Sequence, residues 1–205
     1  MRDEPRPDGA LTHYPLNYGI NTGTWFLFDP AKQAGGDGLV FPNSRTSLRS
    51  VSDGSSRTLA FAEVKAYNAY FRDGGNPNAA GAPMPATPAD VAPLGGNFKV
   101  DSGHTEWVDG RVHQTGFTAT FAPNTVVPHT SGGKSYDVDF NSSREGLSTT
   151  KFTYAAVTSR SYHPDGVQVG FADGSVHFVA ETIDILVWRA LATREGGEIL
   201  DEGQY

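Results

Sequence analysis

The chain has 205 residues, 38% hydrophobic and 19% charged, which suits one well-buried domain and excludes a disordered chain. A net charge of −7 offers no basic stripe to displace phosphate counterions, so nucleic acid is excluded as a partner. Cys 0 excludes disulfides and thiolate metal sites, and no apolar run nears the ~20 residues of a membrane helix, so no membrane contact by this chain is expected.

The start, MRDEPRPDG, is polar, and any export signal is expected to lie outside the chain. Residues 1–24 read as polar and turn-rich. Trp25, Phe26, Leu27 and Phe28 form an apolar run too short for a helix and suited to a buried strand. Residues 31–38 read as loop. Residues 44–52 fit a short helix with Leu48 and Val51 inward and Gly54 just past its end. RTLAFAEVKAY (57–67) reads as a central strand covered on both faces, its Leu and Ala content leaving helix open.

Proline and glycine crowd residues 72–97, which predicts a long surface loop, with Thr87-Pro88 able to open one helical turn. TEWVDGRVH (105–113) alternates about Asp109-Gly110 and GFTATF (116–121) alternates again; both read as strands, as does KFTYAAVTSRSY (151–162).

Asp173-Gly174 between two alternating runs marks a hairpin over 167–180. A two-residue type I′ turn would face Phe171 with Val176, Val169 with Phe178 and Val167 with Ala180, sealing Phe171 and Phe178 on one apolar face. A three-residue turn with a bulge at Gly174 is the alternative, and it shifts every pair. TIDILVWRALATREGG (182–197) then reads as a helix over 182–194, with Thr182 as cap and Ile185, Trp188, Leu191 and Ala192 as its apolar stripe.

These residues carry a resemblance. His163, nine residues, then Asp173-Gly174 reproduces the signature of the prepilin-type, processing-associated His-x9-Asp-Gly proteins. Five blocks follow that family's order: NYGINTGTWFLFDP (17–30), residues 52–67, residues 103–125, residues 158–184 and WRALATREGGE (188–198). The family resembles type IV pilins and type II secretion pseudopilins. The resemblance implies an α+β fold of mainly antiparallel sheet, a pilin-like globular head spanning 1–205 with the C-terminal helix on the sheet. The N-terminal pilin helix is expected to be absent from this chain. It implies a cell-surface, extracellular or periplasmic location, with other pilin-like subunits or further copies of the chain as partners.

The chemical candidates each have a plainer explanation. His163 invites a catalytic or metal role, but His-Pro-Asp-Gly reads as a turn, with the histidine bonding backbone at the hairpin base. Asp173 offers one carboxylate where calcium needs six to eight oxygens, and the turn accounts for it. His104, Glu106 and His113 would share a strand face about Asp109-Gly110, a geometry that permits zinc and equally a solvated face. Asp137, Asp139 and Asn141 sit at alternate positions without the glycine and final glutamate of a calcium loop. Glu63, in an apolar strand, reads as a carboxylate satisfied by backbone or by Arg57 or Arg160. No Gly-x-Ser-x-Gly elbow or phosphate loop occurs, and Ser55 and Ser131 are loop residues.

The chain therefore reads as non-enzymatic, without catalytic residues, metal or cofactor, and as working by assembly or display. A carbohydrate- or surface-binding adhesin, with a surface glycan as partner, is the alternative. A secreted hydrolase using Glu63 or the His104/Glu106/His113 group is the third reading.

Overall fold

A computed structural model of the protein describes residues 14–74 and 80–198. Among these, the strands in chain order are β1 (Tyr18–Asn21), β2 (Phe26–Asp29), β3 (Ala34–Gly35), β4 (Leu59–Glu63), β5 (Asn68–Arg72) and β6 (Asn97–Gly103). There follow β7 (Gly116–Phe117), β8 (Pro128–Ser131), β9 (Lys134–Asn141), β10 (Thr153–Ala156), β11 (Gly166–Phe171) and β12 (Val176–Ala180). Two helices accompany them, α1 (Val112–Thr115) and α2 (Ile185–Ala192).

The strands make two sheets. The first has five, in the order β12-β11-β4-β1-β7; the second has seven, running β3-β2-β10-β9-β5-β6 with β8 beside β9. Each contains a parallel pair, β1 with β7 and β5 with β9. The expected α+β fold of mainly antiparallel sheet, and with it the pilin-like head, is overturned. Among the described residues the molecule is β-rich, both sheets are mixed, and the longer helix has eight residues. The parallel partners lie far apart in the chain, Ile20 beside Gly116 and Ala69 beside Val138, so no local pattern announces them. Gly19 permits the first of these pairings: a Cβ there would stand 2.8 Å from the Gly116 carbonyl group.

The first sheet buries Leu59, Ala62, Val167, Val169, Phe171 and Val179 against Trp188 and Leu191 of α2. Asp184, rather than Thr182, caps α2, its carboxylate accepting from the Leu186 N–H at 2.7 Å. Asn21 locks the assembly. Its buried amide donates to Leu59 O at 2.7 Å and to Ala192 O at 2.9 Å, joining β1, β4 and the end of α2. The second sheet packs Trp25, Phe71, Phe140 and Tyr154 together.

Several segments differ from the sequence reading. The 72–97 stretch is not a free excursion. Its described part makes two 3₁₀ turns, Pro88–Asp90 and Ala92–Leu94, and buries Val91 with Met84 and Leu94 in the second core. The turn expected at Thr87-Pro88 is present, while residues 75–79 lie outside the described residues. Residues 44–52 give only a 3₁₀ turn, Leu48–Ser50, with Val51 buried but Leu48 exposed. The 105–113 alternation is a turn leading into α1, with Trp107 and Val108 exposed. β1, β5 and β6 were not anticipated, nor was the β8–β9 hairpin at Gly132-Gly133, both in the left-handed region at φ 55° and 75°.

The hairpin at Asp173 takes the three-residue form. Gly166 pairs with Ala180, Gln168 with Phe178 and Gly170 with Val176. Gly174, at φ 89°, makes the bulge, and its N–H donates to Phe171 O at 3.0 Å. One extra loop residue inverts β12. Val179 turns into the core, whereas Phe178, expected inside, is 47% exposed.

Candidate functional site

The densest polar chemistry lies behind the second sheet. Alternation along β9 puts Asp137, Asp139 and Asn141 on one side. Arg160, 2% exposed, reaches the two aspartates from the segment after β10. Its Nε and Nη2 donate to the two oxygens of Asp137 at 2.7 and 2.8 Å, and its Nη1 donates to Asp139 Oδ1 at 2.5 Å. Asp139 also accepts from Thr158 N–H at 3.0 Å and Asn68 Nδ2 at 2.7 Å. Burial opposes the guanidinium charge, but Asp139 and then Asp137 outweigh it and hold its pKa above the ordinary value.

Next to this pair stand two buried histidines. His104 sits in the left-handed region at φ 55°, and its N–H donates to His113 O at 3.1 Å. His104 Nδ1 lies 2.9 Å from the Gln114 carbonyl, which only accepts, so Nδ1 carries the proton. Nε2 then turns a lone pair toward Asp139 Oδ2, 4.0 Å away. His113, on α1, stacks on Tyr70 at 4.7 Å and accepts at Nδ1 from Asn141 Nδ2 at 3.3 Å. Burial first, then the neighbouring His104 and nearby arginines, lowers the His113 pKa to about 3. Burial likewise lowers that of His104, against the pull of Asp139. Both rings are neutral at physiological pH.

The cluster reaches the surface through Glu145. Its carboxyl accepts from Val112 N–H at 3.2 Å and from Asn141 Nδ2 at 3.3 Å. It borders an open cleft of about 520 Å³ lined also by Phe28, Pro30, Gln33, Asp109 and Arg111. Arg111 is engaged by Asp109 at 2.8 Å. Burial pushes the Glu145 carboxyl up to about 7, so it exchanges a proton, and with it donor for acceptor, near neutrality.

Of the sequence candidates, His104 and His113 are brought together, but Glu106 is not. Its N–H is held in the turn by Gln114 Oε1 at 3.1 Å. Among the described residues no three His, Cys, Asp or Glu side chains gather closely enough to hold a metal. His163 and Asp173 lie at opposite ends of β11, whose six residues hold them about 20 Å apart. The His163 ring, 56% exposed, meets Glu63 Oε1 at 3.2 Å rather than backbone. Glu63 Oε2 accepts from Gln168 N–H at 2.7 Å, so its partners are His163 and backbone, not the guanidinium of Arg160. Asp173 closes the turn by accepting from Ser175 N–H and Oγ at 2.8 and 2.7 Å. The nine-residue spacing thus measures one strand with an anchor at its entry and a turn at its exit. Glu145 had no signal in the sequence: nothing local marks a loop glutamate for burial.

The fold and this cluster define a two-sheet, β-rich domain with a charged core beneath a surface cleft. The chain belongs to the family described as protein of unknown function DUF1559, whose model matches residues 3–186. No curated protein and no solved structure matches it. Among the described residues no helix is long and apolar enough to cross a membrane.

The buried titrations make stability depend on pH in a defined way. Glu145, raised in the folded state, contributes stability fully present below pH 4.5 and lost as pH rises through about 7. His113, lowered in the folded state, contributes stability present above pH 6.5 and lost as pH falls toward about 3. Between pH 4.5 and 6.5 the two oppose each other. In Glu145→Gln the opposing carboxyl is gone and the lowered histidines, His113 and His104, set the trend, so stability is expected to rise more steeply with pH, by up to about 1.4 kcal/mol per unit. Urea unfolding midpoints across that window measure the change, and equal slopes in both proteins would refute it.

Proposed function

We propose that this protein is a non-enzymatic cell-surface or envelope component that works by assembly or display, as its resemblance to the prepilin-type His-x9-Asp-Gly proteins implies. The observation that supports this reading is the outer face of the first sheet. Tyr18 on β1, Phe61 on β4, and Val176 and Phe178 on β12 are all exposed there, on the side away from α2. Exposed apolar side chains on three strands of an open sheet face, interspersed with Gln168 and Glu63, offer surface for a partner to cover. The signature supports the same reading, because His163, Asp173 and Gly174 hold a strand in place rather than forming one reactive centre.

Cross-linking on intact cells, followed by fractionation, tests the proposal. Recovery in higher-order species from the envelope is expected, and a monomer confined to the cytosol would overturn it. The cleft favours a second reading, glycan binding, since Gln33, Asn43 and Arg111 offer hydrogen bonds beside Phe28 and Pro30. Saturation-transfer signals from oligosaccharides that vanish in Arg111→Ala would support that reading, and no signal in the unaltered protein would remove it.

A further inference from the structure

β12 ends its sheet, with β11 on one side and, among the described residues, no strand on the other. The hydrogen-bond alternation shows what that free side presents. Phe171 N–H donates to Ser175 O at 2.9 Å, so 171 and 175 form a bonded pair. The register then makes Val169 with His177 and Val167 with Val179 the next bonded pairs. Val176, Phe178 and Ala180 are left with N–H and C=O directed away from β11. Of these groups, the Ala180 carbonyl accepts one bond, from Ile183 N–H at 3.1 Å.

Natural sheets guard such an edge with charge, proline or a bulge. Val176-His177-Phe178-Val179-Ala180 has no Lys, Arg, Asp, Glu or Pro. The edge is also self-complementary. Phe178 is its midpoint, and a two-fold axis there sets Phe178 against its own copy and Val176 against Ala180. The outward N–H and C=O groups of exactly these residues then meet as bonded pairs. His177 falls opposite Val179, and Glu181 opposite the uncharged Ser175.

We propose that two copies of the chain pair antiparallel along β12, with the axis through Phe178, joining their first sheets into one continuous sheet. The inference deepens the assembly reading and rests on it for its setting, while the pairing itself is tested on the purified protein. Light scattering should show the unaltered protein as a dimer, and Phe178→Lys and Phe178→Glu each as monomers, because like charges would face across the axis. Mixing the two variants should restore a dimer, since Lys would then oppose Glu. An unaltered protein that stays monomeric, variants that stay dimeric, or a mixture that does not recombine would each overturn the pairing. In the unaltered protein, amide exchange at Val176, Phe178 and Ala180 should slow as concentration rises, and exchange independent of concentration would overturn it without any substitution. Envelope recovery of a variant that no longer pairs leaves assembly standing by another surface. A paired protein found only in the cytosol removes the envelope reading and leaves the pairing.

Discussion

Arg160→Met is expected to destabilise the protein by about 3–5 kcal/mol, a large part of the total stability of a domain this size. The charge is not decorative. Asp139 is 2% exposed and held by Arg160, Thr158 and Asn68, so removing the guanidinium leaves a carboxylate charge in a site that water does not reach. Asp137 matters less, because its side chain keeps some contact with solvent once freed. Arg160→Met combined with Asp139→Asn is therefore expected to recover much of the loss, since it removes both buried charges together. Urea unfolding of the two single variants and the double variant gives the coupling directly. Losses that simply add, with no recovery in the double variant, would show that the pair carries no special energy.

Trp188→Ala is expected to cost a similar amount, about 3–5 kcal/mol. Trp188 is fully buried on α2, against Phe117 at 6.1 Å and among Leu59, Val167 and Leu191. Strand residues fixed in two different pairings surround it, so the cavity left by the indole collapses poorly. The contrast is Trp188→Phe. Trp188 Nε1 has no hydrogen-bond partner among the described residues, so phenylalanine keeps most of the apolar contact and removes an unpaired N–H. Its loss should be less than half that of alanine, as read from urea midpoints. Equal losses would mean that the indole N–H is satisfied and that volume alone does not decide the site.

Much of the first sheet was legible from short stretches of sequence. The apolar run at 57–67 announced central strand β4, though not covered on both faces as expected, since Phe61 is exposed, and the spacing of Trp188, Leu191 and Ala192 announced the buried side of α2. Asp173-Gly174 announced a turn. The candidate site was legible only in pieces. His104 and His113 stood out as residue types, yet they meet because a left-handed His104 follows β6 and α1 turns back toward it, not because a hairpin aligns them. Asp137 and Asp139 were visible as alternate acids, but their partner Arg160 lies 23 and 21 positions away and answers to no spacing rule.

By itself the sequence determined the local elements: where the chain turns at Asp173-Gly174, which runs are apolar enough to lie inside, and how α2 divides its faces. Each depends on residues within a few positions of one another, where propensity and periodicity act directly. Only the tertiary structure decided how those elements meet. A period of two says that neighbouring side chains oppose but not which of them faces in, and the three-residue turn sent Val179 to the core and Phe178 to the surface. The parallel pairs and the Arg160–aspartate cluster were decided there too, because distant segments settle their partners only when the whole core closes around them.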